Sequence, residues 1–202
     1  MKSSSDIEAL ARGVCTHMAG ALERYARVSG EAEQTMPEHF AVAYILDKLG
    51  SKFCLTMETG SRTLWNWNNN TKGRSKKLAA LESIPDSFRN DCGARRCDLV
   101  AFHGEFDEKY CMDFLCLVEI KKGHINRSDI EKINDWLPHI DTCPFGMVAS
   151  YCEIPKHPDY VGKCEKDALK AGHKWIVGRE SKPVDAFGKR TRFQTFAEYW
   201  AR

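Results

Sequence analysis

Two stretches decide how this chain reads: Arg95-Arg96-Cys97-Asp98-Leu99-Val100-Ala101-Phe102, and Phe114-Leu115-Cys116-Leu117-Val118-Glu119-Ile120-Lys121-Lys122-Gly123. Cys97 to Phe102 predicts a strand. Phe114 to Ile120 is almost unbroken in its apolar character, which predicts a strand buried on both faces. Between them, His103 to Asp113 is polar and contains Gly104, as a hairpin connection requires. Alternate side chains of a strand share a face, so Glu119 and Lys121 point one way and Ile120 points the other, into apolar packing. Lys122 is expected to point away, into solvent. If the strands pair antiparallel, the start of the first lies beside the end of the second, and Asp98 meets Glu119 and Lys121 at one end of the sheet. Two close carboxylates repel unless one takes a proton or a cation binds. Hard oxygen donors of this kind suit Mg²⁺ or Mn²⁺. A neighbouring lysine can position or deprotonate a water and offset charge on a phosphoryl transition state.

The rest of the chain supplies a frame. Ser5 and Glu8 form a capping-box pattern ahead of a helix that runs to Gly30, with Ile7, Leu10, Val14, Met18 and Leu22 at helical spacing. Thr35 and Glu38 repeat the pattern, with Pro37 in the first turn, and Ala41, Val42, Ile45 and Leu49 form the buried stripe before Gly50. Lys52 to Glu58 alternates like a strand. Residues 61–77 are irregular, and a short helix is expected from Lys76 to Ile84. Ser128 and Glu131 suggest the cap of a further helix, which Pro138 should end or bend. Phe145 to Ile154 predicts a strand, Asp159 to Ala171 a helix, and Lys174 to Gly178 a short strand. The aromatic segment Phe193 to Trp200 is expected to be a closing helix. This order predicts an α/β protein with a mixed sheet flanked by helices.

The two opening stretches resemble the core motif of the PD-(D/E)XK nuclease superfamily, the restriction-endonuclease-like fold. The resemblance covers residues 36–151, in the order helix, three antiparallel strands, crossover helix, fourth strand. It implies a single domain, 1–202, with a restriction-endonuclease-like core at 36–151, an N-terminal helix at 5–29 and a C-terminal α/β extension at 152–202. Carried over by position, it implies that Asp98 and Glu119 are metal ligands, that the Ile120 carbonyl is a third, and that Lys121 is the catalytic lysine. Glu38 would be an outer acid, and Mg²⁺ or Mn²⁺ the cofactor. Cys97 stands where the family commonly has proline. A literal Pro85-Asp86 lies ahead of the strand in turn context, and Glu58 is a spare acid. The activity implied is metal-dependent hydrolysis of nucleic-acid phosphodiesters, DNA before RNA. Many members act as dimers, so the resemblance leaves a homodimer or a larger complex open, although the sequence carries no dimer signature. The rival expectation is a catalytically unused member of the same fold that binds nucleic acid or protein in a larger, for example defence-related, assembly.

Blander readings stand beside these. Glu38 also fits as the capping partner of Thr35, Asp98 as a partner of Arg95 or Arg96, and Glu119 with Lys121 as a salt bridge. Trp65 and Trp67, amid Arg62, Lys72 and Arg74, either stack on bases in a basic groove or anchor a long loop. Arg95 and Arg96 extend that basic stretch toward the site. His124 follows the motif closely. Lys189-Arg190-Thr191-Arg192 is either a solvated turn or a phosphate contact.

Composition sets the outer limits. The 202 residues allow one real core, and a net charge of +2 excludes a uniformly basic coat. The charge is uneven, however: residues 60–100 carry +4, residues 161–202 carry +5, and the remainder −7. No apolar run is long enough to span a membrane, and the N-terminal residues lack the apolar stretch of a signal peptide. The nine cysteines are odd in number and contain no C-x-x-C pair. They read as reduced thiols of a cytoplasmic protein, or else as part of a mixed Cys/His metal site.

Overall fold

Apolar periodicity places most of the elements. The structure is a computed structural model, and it describes residues 4–31, 36–60, 63–64, 67, 96–103, 113–123, 125–140, 143–154 and 159–202. Along the chain run α1 (Ser4–Ser29), α2 (Glu38–Leu49), β1 (Cys54–Gly60), β2 (Arg96–His103), β3 (Asp113–Lys122) and α3 (Arg127–Trp136). A 3-10 turn at Leu137–His139 then leads to β4 (Phe145–Ile154), α4 (Tyr160–Lys170), β5 (Lys174–Ser181) and β6 (Arg192–Ala201). Proline at the second position of that turn explains why α3 stops at Trp136.

The strands form a six-stranded mixed sheet in the order β1-β2-β3-β4-β6-β5. β1, β2 and β3 pair antiparallel in sequence, α3 carries the chain to β4 parallel with β3, and β6 lies antiparallel to both β4 and β5. The apolar run of β3 therefore occupies the middle of the sheet, where both faces are covered. On one face, α1 and α2 pack on Leu99, Val118, Ile120, Met147 and Ala149. On the other, Ile133 and Trp136 of α3 pack with Val100, Leu117, Val148 and Trp200. No described helix is long and apolar enough to cross a membrane.

Some expectations need correction. Phe193 to Trp200 is not a helix but the body of β6. Phe193, Ala197 and Tyr199 pack beneath α1, whereas Trp200 packs against α3. A run buried on both faces has no period to separate helix from strand, and its aromatic content favours the strand. β5 continues to Ser181 instead of ending at Gly178. Ser5 and Ser128 lie inside their helices. The cap of α3 is Asn126, whose backbone N–H donates to Asp129 Oδ2 at 3.1 Å. α2 is preceded by Pro37 in extended conformation, which makes Glu38 the first helical residue and not a capping-box partner three residues in. The expected helix 76–84, Pro85-Asp86, Thr35 and the tip of the 103–113 connection lie outside the described residues.

Gly146 lets α3 settle on the sheet. A Cβ there would fall 2.6 Å from Ile133 Cγ2 and 2.9 Å from the Trp200 indole. Gly146→Ala is expected to lower the unfolding free energy by about 1–3 kcal/mol. This would appear as a lower urea midpoint with an unchanged slope, and an unchanged midpoint would contradict this packing.

Candidate active site

The β2–β3 ladder pairs Ala101 with Cys116, Val100 with Leu117, and Leu99 with Val118. One step further, the side chain of Asp98 takes over from the backbone: its Oδ2 accepts the Ile120 N–H at 2.7 Å. Two residues on, the Lys122 N–H donates to Glu38 Oε1 at 3.0 Å. Alternate amides of a strand point to the same neighbour. The two amides that β3 directs to this side beyond the paired ladder are thus satisfied by two carboxylates, one from β2 and one from the start of α2. Ile120 is buried beneath the helices, as the strand parity predicts.

Glu119 is 1% exposed. Its Oε1 lies 2.6 Å from Lys132 Nζ, which also donates to the Arg96 carbonyl at 2.5 Å. Its Oε2 lies 3.4 Å from Lys121 Nζ. Lys121 is in turn 3.7 Å from Asp129 and 4.0 Å from Glu38. Lys121 therefore meets three acids, from α2, β3 and α3, and also feels the charge of Asp98 on β2. Burial works to lower its pKa, yet Glu119, Asp98, Glu38 and Asp129 together hold it above the ordinary lysine value. Asp98 is pushed up to about 7, first by burial and then by the charge of Glu119, against the lowering effect of the Ile120 N–H and both lysines.

Of the residues singled out in the sequence, the fold brings Asp98, Glu119, Lys121 and Glu38 to one end of the sheet. Glu58 is exposed on β1 and sits at φ +52°, a left-handed conformation that is unusual inside a strand. Trp67 is half-buried and packs edge-on against Phe102 at 5.7 Å, which suits an anchor. Arg96 is exposed. Arg62, Trp65, Lys72, Arg74, Arg95 and His124 lie outside the described residues. The seven described cysteines are free thiols, whereas Cys92 and Cys111 fall outside the description. Among the described residues, no three His, Cys, Asp or Glu side chains are grouped to hold a metal ion.

Sequence reasoning missed Lys132, Asp129 and Ser150. The first two share the inward face of α3 with Ile133 and Trp136, a spacing visible in the sequence once that helix is oriented. The hydroxyl of Ser150 donates to the Lys121 carbonyl at 3.0 Å and the Gly123 carbonyl at 2.8 Å, closing the end of β3. Its signal was a lone serine within a largely apolar strand. Comparison with known proteins finds no matching family model, no matching curated protein and no matching solved structure.

A carboxyl whose pKa is raised on folding binds its proton more tightly in the folded state, so stability falls as pH rises from about 4 to about 7. Asp98→Asn keeps an acceptor for the Ile120 N–H and removes the charge. In EDTA at pH 8 it is expected to stabilise the protein by on the order of 1 kcal/mol or more, with the gain vanishing near pH 4. A difference in urea midpoint that does not change with pH would contradict the buried acid pair.

Proposed function

We propose that this protein is a metal-dependent phosphodiesterase acting on nucleic acid, DNA before RNA, with a PD-(D/E)XK-type site. The observation that carries the reading is the meeting of Asp98, Glu119, Lys121 and Glu38 at one sheet end, where Asp98 stays raised despite two adjacent lysines. The succession α2, β1, β2, β3, α3, β4 supports a restriction-endonuclease-like core, because it is the order that the resemblance implies.

The residues present fit a hard divalent cation. Asp98 and Glu119 are close enough to repel, and the Ile120 carbonyl is directed to the same side of β3 as its N–H, toward Asp98. These three groups would hold Mg²⁺ or Mn²⁺. Such an ion supplies Lewis-acid activation of water and neutralises charge on the phosphoryl group. Lys121 holds a proton among four carboxylates, so it is placed to orient the attacking water and to screen negative charge as it grows in the transition state. Glu38 orients Lys121 and fixes the Lys122 amide. Lys132 pairs with Glu119 at 2.6 Å and holds its carboxyl group in place.

The close Lys132–Glu119 pair favours a second reading, in which the acids are neutralised internally and the fold serves as a catalytically unused nucleic-acid- or protein-binding module. A cleavage panel of plasmid, single-stranded DNA and RNA with Mg²⁺ or Mn²⁺ separates the two. On the first reading the wild type cleaves, and Lys121→Ala and Asp98→Ala each lose about 100-fold or more with unchanged circular dichroism. Unchanged cleavage in either variant overturns the assignment, and binding without cleavage by the wild type selects the second reading.

A further inference from the structure

The hairpin between β5 and β6 plays no part in the acid–lysine cluster, yet it is built with care. Asp185 Oδ1 accepts the backbone N–H groups of Phe187 at 2.9 Å and Lys189 at 2.8 Å. The Asp185 N–H donates to the Lys189 carbonyl at 3.0 Å, and the Gly188 N–H donates to the Asp185 carbonyl at 3.1 Å. Gly188 adopts φ +79°, which a side chain would resist. The Ala186 N–H donates to the Gly30 carbonyl at 2.8 Å, docking the tip on the end of α1. Such a turn is pinned in shape. It nevertheless presents Phe187 to water at 95% exposure, more than any other large apolar side chain among the described residues.

Cations flank that ring along the chain. Lys182, Lys189, Arg190 and Arg192 fall within eleven residues of chain, against the single acid Asp185, whose carboxylate accepts from backbone amides. Arg192 is held by Glu180 at 2.7 Å, and Lys182 approaches the same carboxylate at 3.6 Å. Position adds a second argument. Lys121 of β3 is in register with Ser150 of β4, and Ser150 with Phe196 of β6, while β4 ends at Ile154 opposite Arg192. The hairpin therefore leaves the sheet at the same end as Lys121. Two strand spacings, roughly 10 Å, separate β6 from β3 across the sheet.

We infer that the β5–β6 hairpin is a nucleic-acid contact in which Phe187 stacks on an unpaired base of a single strand while the flanking cations meet its phosphates. An exposed aromatic ring on a pinned turn, with cations along the same hairpin, is the chemistry of a stacking platform, which tolerates sequence because every base has a π-face. Anchoring to an anionic membrane would call for a broad apolar face instead of one ring. The inference rests on the reading of nucleic acid as the substrate.

The test uses the full chain in EDTA, so that no cleavage occurs, and a single-stranded DNA oligonucleotide carrying a fluorescent base analogue that dims on stacking. The wild type should bind and quench the analogue. Phe187→Ala should weaken binding about tenfold and abolish the quenching, and Phe187→Trp should restore both. Because Phe187 is exposed, the variants should fold as the wild type does, which circular dichroism checks. If the wild type binds but Phe187→Ala binds and quenches equally well, the inference alone is overturned. If the wild type binds no nucleic acid, the substrate reading falls and takes the inference with it. A loss confined to anionic vesicles also overturns it.

Discussion

Glu119 holds a carboxylate almost wholly out of water at the end of an apolar strand. Left unpaired, such a group would cost several kcal/mol. The surrounding structure is arranged to meet that demand. Lys132 reaches it from α3, Lys121 reaches it from two residues along the same strand, and Lys132 also clasps the Arg96 carbonyl. To deliver Lys132, α3 must lie close on β4, which the missing side chain of Gly146 allows. Asp98 is drawn into the same region and takes up the Ile120 amide. The result is a pair of acids, Glu119 buried and Asp98 half-buried, whose repulsion is reduced, but not removed, by the cations at hand.

Two helices begin at this same end. Glu38 is the first residue of α2, and Asp129 stands in the first turn of α3. The positive end of a helix dipole stabilises an acid at each position. Open α/β sheets commonly bind ligands beyond the carboxyl ends of their parallel strands, where β3 and β4 end here. The sheet repeats its device once more. Glu119 is in register with Val148, and Val148 with Glu198, so the two glutamates occupy one row. Glu198 is also buried, and His173 Nδ1 lies 2.5 Å from it. Each buried acid in the row has a nitrogen partner from outside its own strand.

Much of this was legible in the chain, and the reason is geometric. A period of two fixes the shared face of Glu119 and Lys121, and antiparallel pairing brings Asp98 to them whatever the length of the connection. Glu38 was legible by position, but the capping reading beside it gave way once Pro37 proved to precede the helix directly. Lys132 was not legible, because its role depends on how α3 is rotated, and that is decided by Ile133 and Trp136 against Val148 and Trp200. β6 was misread because burial on both faces erases the periodic signal. Of the two basic segments, 161–202 is spread over α4, β5, the hairpin and β6, whereas most of 60–100 lies outside the described residues.

On the proposed function, Asp98 and Glu119 together hold a divalent cation. Manganese binding, followed by electron paramagnetic resonance at neutral pH, tests it most directly. One tightly held Mn²⁺ per wild-type chain is expected, with binding weakened at least tenfold in Asp98→Asn while the fold persists. No bound ion in the wild type, or equal binding in the variant, would contradict it.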